Sequence, residues 1–123
     1  MKHFKIGSKI KEILTNDSEV TNYINNKVFP IVANNGTDIP FVIYRRFNYE
    51  PQSNKDYKGE SAEFEVRVVA NKYEDSVKIA DAVGDALNDY KDNDVEQIRL
   101  ITSNEDYIDE VFVQTLNFYI ELK

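Results

Sequence analysis

The sequence predicts an α+β fold: an antiparallel sheet of about four strands, with a long helix and short N-terminal helices packed on one face. Three observations indicate this class. Apolar residues recur at helical spacing near the N-terminus and again from Tyr73 to about Tyr90. Elsewhere, runs rich in Val, Ile, Phe and Tyr alternate with polar residues, as half-buried strands do. No repeat or linker interrupts the 123 residues, so residues 1–123 are expected to form one domain.

Composition argues against several classes of function. The chain has no cysteine and one histidine, His3, at a terminus expected to fray, so thiol nucleophiles, cysteine-based zinc sites and Ser-His-Asp triads are not expected. No apolar run reaches the length of a secretory signal or a membrane span, and a soluble chain is expected. The net charge of −7, with scattered basic residues, argues against specific binding of nucleic acid, although an acidic surface suits a channel that DNA passes through.

The N-terminal segments are predicted as two short helices followed by an edge segment. Apolar residues lie at helical spacing between 4 and 14, and Asp17 or Ser18 is expected to cap the second helix. The segment 27–33 is rich in β-branched and aromatic residues. Because Pro30 has no amide hydrogen to donate, a strand in this segment is expected to lie at the edge of the sheet or to be broken.

Four longer strands are predicted in two pairs. The first pair comprises 41–49, with apolar side chains on both faces, and 62–70, with a clean half-buried alternation. The second pair follows the long helix, with a connection around 104–110 between strands at 95–103 and 111–122.

The long helix is expected to pack on the sheet through a stripe of five residues: Tyr73, Val77, Ala80, Gly84 and Leu87. A mid-helix glycine costs about 1 kcal/mol relative to alanine, so Gly84 predicts that a sheet residue approaches the helix backbone there. Aspartates spaced four residues apart form an acidic helix flank: Asp81, Asp85 and Asp89. Because no further ligands converge on it, this flank is interpreted as a solvated surface and not as a metal site.

No catalytic, cofactor or metal site is predicted. The four glycines are isolated, so the sequence contains no nucleotide-binding loop of the Walker or Rossmann type. The segment beginning at Asp92 has the opening acidic spacing of a calcium loop, but Gln97 and Ser103 stand where such a loop needs glycine and glutamate.

Two groups of residues are candidates for contacts between subunits. One lies on a long hairpin arm predicted at 50–61 and on the strand before it: Arg45, Arg46, Lys55, Tyr57 and Lys58. These residues either bind an acidic surface, including the acidic helix flank of an identical subunit, or form a charged edge that blocks aggregation. The other group is an apolar face expected to be exposed in the isolated chain and buried in an assembly: Val42, Tyr44, Val111, Val113 and Tyr119.

Three segments carry a resemblance to a known family: "VFPIVANNGTDIPFVIYRR", "FEVRVVANKYEDSVKIADAVGDALNDY" and "IRLITSNEDYIDEVFVQTLNFYIEL". They contain a loop that leads through Ile39 and Pro40 into an aromatic strand, a strand-Tyr-helix unit, and a closing hairpin that ends in "NFYI". Over about residues 28–122 the sequence resembles the tail completion family of long-tailed bacteriophages and is similar to tail-to-head joining and tail terminator proteins.

The resemblance implies a virion protein that is not an enzyme. It implies a small subunit, made in the bacterial host cytoplasm, that forms a ring with itself, commonly a hexamer, at the head-proximal end of the tail. There the ring would end the tail tube and contact the tail tube protein and the head connector. A head completion subunit of the neck, and a non-viral adaptor or ligand-binding module of the same architecture, remain as alternatives. No cofactor, membrane or specific nucleic acid partner is expected.

Overall fold

The fold is described from a computed structural model of the chain, over residues 2–51 and 59–123. After a 3-10 turn at Lys2–Lys5, the described residues form three helices: α1 Ile6–Asn16, α2 Ser18–Ile24 and α3 Tyr73–Leu87. The strands are β1 Val28–Pro30, β2 Phe41–Glu50, β3 Ser61–Ala70, β4 Val95–Ile108 and β5 Val111–Leu122. They form one sheet in the spatial order β1-β2-β3-β5-β4.

In the part of the chain that the structure describes, the sheet has five strands and is mixed, where about four antiparallel strands were predicted. The additional strand is β1, which pairs parallel to β2; the other pairings are antiparallel. Strand β1 has only three residues, too few for an alternation of apolar and polar side chains to be recognised in the sequence. Its position at the edge of the sheet confirms the expectation drawn from Pro30.

Helix α1 packs on β1, β2 and α3, and α2 packs on α1 and α3, both through their apolar sides. Asp17 begins α2, and its Oδ1 accepts hydrogen bonds from the backbone N–H groups of Glu19 and Val20, each at 3.0 Å. This confirms a cap at the predicted position. The core lies between the three helices and one face of the sheet, where Phe64 and Phe118 are fully buried.

Helix α3 is rotated relative to the predicted stripe. Its buried residues are Ser76, Ile79, Ala82, Val83 and Leu87. Tyr73 is 47% exposed, and Val77, Ala80 and Gly84 are only partly buried. The helix has two adjacent apolar stripes that share Leu87, and the stripe with the bulkier Ile79 and Val83 enters the core.

Gly84 does not mark a close approach, which corrects a second prediction for α3. A Cβ added at this position would lie 3.8 Å from the Cδ2 atom of Leu116, an ordinary van der Waals distance. The space beside Gly84 therefore accommodates a methyl group.

The β4–β5 hairpin is longer than predicted. Strand β4 continues to Ile108, and its residues from Arg99 onwards are all exposed. The connection is only Asp109 and Glu110, with φ angles of 51° and 68°. Two consecutive residues with positive φ are typical of the tight turns that match the twist of a hairpin.

Candidate subunit interfaces

The face of the sheet opposite the helices carries an apolar cluster on which none of the described helices packs. We call this cluster the outer apolar patch, and its members come from four strands: Phe29, Phe41, Ile43, Val69, Val111 and Val113. Val69 and Val113 are register partners and are 9% and 8% exposed, yet neither belongs to the main core. The rings of Phe29 and Phe41 make an edge-to-face contact, with centroids 6.4 Å apart.

Val42 and Tyr44 do not belong to the outer face, contrary to the prediction. Val42 is fully buried and Tyr44 is 8% exposed, and both are part of the core under the helices. Strand β2 has apolar side chains on both faces, so its alternation alone does not show which face the helices cover. Pairing with Val66 and Val68 of β3 places Val42 and Tyr44 inside, which leaves Phe41 for the outer face.

The other end of the outer face is charged. Glu65 forms ion pairs with Arg67 at 2.8 Å and with Arg45 at 3.7 Å. Arg99 lies over the ring of Tyr119, 5.2 Å from its centroid. The outer face carries Val111, Val113 and Tyr119, as predicted. Their role in an interface stays a prediction. Because both arginines at Glu65 are about half exposed, these ion pairs contribute little to stability.

Arg45 and Arg46 do not form a single basic surface. Arg45 points to the outer face, whereas Arg46 lies on the helix side, 4.5 Å from the ring centroid of Phe4 and 5.9 Å from that of Tyr49. Three further members of the predicted group, Lys55, Tyr57 and Lys58, lie outside the described residues.

The acidic helix flank consists of two aspartates and not three. Asp81 and Asp85 are exposed on α3. The helix ends at Leu87 and not near Tyr90, so Asp89 lies beyond it, with a φ of 66°. The side chain of Asp89 accepts a hydrogen bond from Gln97 at 3.1 Å.

Asp81 and Asp85 line a groove between α3 and strands β4 and β5, with a volume of about 380 Å³. We call it the acidic groove. Its apolar lining comes from five residues: Val77, Ala80, Gly84, Leu100 and Leu116. Glu105 of β4 adds a third carboxylate.

Hydrogen bonds hold Glu105 in place at the groove. The hydroxyl of Tyr73 donates to Glu105 Oε2 at 3.0 Å, and Gln114 Nε2 donates to the same oxygen at 3.0 Å and to Ser76 Oγ at 3.2 Å. The hydrogen bond to Glu105 raises the pKa of Tyr73 above its ordinary value. The network explains why Gln114 interrupts the apolar face of β5, the one sequence signal for this site. Glu105 was missed because β4 was predicted to end near Ser103, which placed Glu105 in the connection between the strands.

A second polar cluster ties α1 to the start of β4. Asp92 Oδ2 accepts from Lys9 Nζ at 2.8 Å and from the Tyr90 hydroxyl at 2.9 Å, and its Oδ1 accepts from the backbone N–H groups of Asp94 and Val95. Burial opposes ionisation of Asp92. The hydrogen bonds outweigh this effect, the one from Lys9 most of all, and hold the pKa of Asp92 well below its usual range. The cluster is a structural clamp, which we call the Asp92 clamp.

Among the described side chains, those of residues 4–51 and 59–123, there is no group of three or more acidic residues arranged to hold a metal ion. Over the same residues, no helix is long and apolar enough to cross a membrane.

Comparison with known proteins places the chain in a family. The sequence matches the family described as Tail completion protein gp17 over residues 8–118, which is most of its length. The fold is similar to that of a chain in the virion of a native gene transfer agent (GTA) particle, with a TM-score of 0.73 at 12% identity, covering 92% of this chain and 90% of that one. No curated protein matches the sequence. The chain therefore belongs to the tail completion protein gp17 family and is a structural protein of a phage-type virion tail.

Proposed function

We propose that the protein forms a ring of six identical subunits at the head-proximal end of the tail tube. The ring ends the tube and joins it to the head connector, and residues 1–123 act in it as one domain. The observation that carries this proposal is the family match over residues 8–118, because completing a tail means acting where the tube stops. The tail tube protein and the connector are its further partners.

The outer apolar patch supports assembly. A contiguous apolar surface on a small chain is normally covered by a partner, because exposed apolar area costs free energy in water. Phe41 and Val113 lie on this face, and no described helix packs on it. The patch is therefore proposed as one contact surface between neighbouring subunits, with Tyr119 at its charged margin.

The net charge of −7 is consistent with a ring whose channel carries DNA, because a negative wall does not bind the phosphate backbone. The basic side chains on and beside the 50–61 segment are proposed to meet acidic groups of the neighbouring subunit. Arg46 is less suited to this role than Arg45, because it stacks on Phe4 on the helix side.

A head completion subunit of the neck is the second candidate. The fold similarity to a virion chain favours a place within a particle without distinguishing tail from neck. Both assignments agree with a structural role. They predict different lengths of the tail tube in particles that lack the protein.

The experiment is to delete the gene from its phage or prophage and to image the particles by electron microscopy. If the protein ends the tube, its absence leaves tail tubes of irregular, extended length beside DNA-filled heads without tails. Tubes of normal length beside tailless heads would contradict the proposal and favour the neck subunit. Expression of the intact chain from a plasmid is the control, and it restores complete particles in either case.

A further inference from the structure

We propose that the turn at Ile31 and Val32 of one subunit binds in the acidic groove of the next copy of the chain and so joins subunits head to tail. The turn directly follows β1 at one edge of the sheet, and the groove lies beside β4 at the other edge. This inference rests on the proposed function, because it names the contact through which the ring closes.

Ile31 and Val32 present two adjacent aliphatic side chains to solvent. They are 68% and 70% exposed, the highest values for large apolar residues among the described side chains. Phe29 of the outer apolar patch lies two residues before Ile31, so the turn continues that patch around the edge of the sheet. An apolar surface of this kind is normally covered by a partner.

The backbone holds this turn in an unfavourable conformation. The φ angle of Ile31 is 66°, and the N–H of Val32 donates to the C=O of Pro30 at 2.6 Å, as in the rare γ-turn with a positive central φ. A β-branched residue is disfavoured at such an angle. The N–H of Ile31 donates to the C=O of Tyr44 at 2.8 Å, which fixes the turn on β2. Because strained residues cluster at functional surfaces, this conformation indicates that the two side chains are presented for binding.

The acidic groove offers a surface that complements the turn. Its apolar lining includes Ala80, Leu100 and Leu116, against which aliphatic side chains lose contact with water. Asp81 and Asp85 also line the groove, and neither forms an ion pair with a lysine or arginine in the described part of the chain. The groove therefore suits an apolar segment with a basic side chain beside it.

Arg45 supplies that basic side chain. The register of β1 on β2 places Arg45 next to Ile31. The side chain of Arg45 is half exposed and lies 3.7 Å from Glu65, whose closer partner is Arg67 at 2.8 Å. The guanidinium of Arg45 is therefore available to the two aspartates of a neighbouring groove, and charge complementarity comes from a second copy without any other partner.

The turn cannot reach the groove of its own chain. Successive register partners cross the sheet from β1 to β5: Pro30, Tyr44, Val66 and Leu116. Leu116 therefore lies three strand spacings from Pro30, about 14 Å at about 4.8 Å per spacing, and β4 lies one strand further. Helix α1 packs on β1, β2 and α3, and so lies between the turn and the α3 side of the groove. The turn of one copy is thus left for the groove of another.

This arrangement has a consequence for symmetry. The turn and the groove are different surfaces at opposite edges of the sheet, so each subunit gives one contact and receives another. Such head-to-tail contacts generate a closed ring when the rotation between subunits closes, whereas a two-fold dimer pairs one surface with itself.

The first test shortens the exposed side chains on the full chain and is read by native mass spectrometry over a concentration series. Ile31→Gly with Val32→Ser is expected to raise the concentration at which half the chains are in rings by at least about tenfold. Phe4→Ser is the control: it removes a ring that is 53% exposed and lies outside both surfaces, and it is expected to leave ring formation within about threefold of wild type.

Thermal unfolding of Ile31→Gly separates binding from folding. Glycine adopts a positive φ without strain, so this variant is expected to keep or raise the thermal midpoint while it weakens the ring. A residue with a merely structural role would lower both.

The second test is a charge swap read in the same way. Arg45→Glu, and separately Asp81→Lys with Asp85→Lys, are each expected to raise the half-assembly concentration by at least about fivefold, and the triple variant is expected to recover most of this loss. If the lysine substitutions prevent folding, Asp81→Asn with Asp85→Asn replaces them and is expected to weaken the ring in the same direction.

A matched control separates local contact from net charge. Glu12→Lys with Glu96→Lys changes two exposed acids outside the groove by the same total charge. This pair is expected to leave ring formation within about threefold of wild type and not to rescue Arg45→Glu.

Rings that are unchanged by Ile31→Gly with Val32→Ser, a thermal midpoint that falls together with assembly, or a triple variant no better than Arg45→Glu would overturn the inference. So would a wild-type chain that stays monomeric at every concentration, because each chain carries both surfaces. None of these results decides the proposed function, which is measured separately by the length of tail tubes in particles that lack the protein.

Discussion

Both faces of the sheet carry apolar side chains, but the helices among the described residues cover only one of them. On the covered face, Phe64 and Phe118 are fully buried in one continuous core. On the outer face, Val69 and Val113 are 9% and 8% exposed and are separate from that core. The covered face stabilises the folded chain, and the outer face is the surface proposed to contact another subunit.

The largest effect on folding is expected when a large side chain on the covered face is shortened. Phe118→Ala is expected to lower the free energy of unfolding by about 3 to 5 kcal/mol, because it removes a fully buried ring and leaves a cavity beneath the helices. Urea unfolding followed by circular dichroism measures the change. A loss below about 1 kcal/mol would mean that Phe118 does not lie in a closely packed core.

The Asp92 clamp is expected to make the second largest contribution to the free energy of unfolding. Asp92→Asn weakens the charge-assisted hydrogen bond from the largely buried Lys9 and is expected to cost about 2 kcal/mol at pH 7. Asp94→Asn is the control, since Asp94 is 71% exposed and lies 3.8 Å from Lys9, and it is expected to cost less than about 0.5 kcal/mol.

The effect of Asp92 depends on pH. Its folded-state pKa lies below the ordinary value of 3.8, so the ionised carboxylate stabilises the fold above that pH, and this contribution is lost as the pH falls towards the folded-state pKa. Between pH 5 and pH 2 the wild type should therefore lose more stability than Asp92→Asn. Equal losses in the two proteins would show that the clamp does not favour the ionised form.

On the outer face, a substitution is expected to affect assembly more than folding. Phe41→Thr keeps a residue that favours strands and removes a ring from the outer apolar patch. The unfolding free energy is expected to fall by about 1 kcal/mol, while the concentration needed for half-assembly rises by about tenfold. Sedimentation velocity gives the second quantity.

Phe47→Thr provides the matched comparison. Phe47 lies on the same strand but is 44% exposed, at a bulge and outside the outer apolar patch. It is expected to change assembly by less than about threefold. Equal effects of the two substitutions would remove the distinction between patch and surroundings.

The smallest effect is expected at the border between α3 and the acidic groove, and its sign is opposite. Gly84→Ala is expected to raise the free energy of unfolding by about 0.5 to 1 kcal/mol, because the added methyl group has ordinary contact with Leu116 and alanine favours the helix. Thermal unfolding detects this as a higher midpoint. A lower midpoint would show that α3 packs more tightly there than the distances indicate.

The elements that could be predicted from the sequence are those whose signal is local. The cap at Asp17, the edge position of Pro30 and the half-buried alternation of β3 each follow from the chemistry of a few neighbouring residues. The family resemblance was likewise visible in the sequence, and the match over residues 8–118 confirms it.

The orientation of elements could not be predicted in the same way. Strand β2 is apolar on both sides, so only its pairing with β3 showed that Val42 faces the helices. Helix α3 has two adjacent apolar stripes, and packing in three dimensions selected the one with Ile79. The acidic groove depends on a β4 strand that continues past an irregularity at Leu100, which brings Glu105 opposite Gln114.

The most direct test of the central claim is cryo-electron microscopy of purified tails that carry the protein. We expect one ring of six copies at the head-proximal end of each tube, with the outer apolar patch of each copy against its neighbour. Copies distributed along the tube, or a terminal ring in which the patch faces solvent, would contradict the assignment of the outer face to assembly.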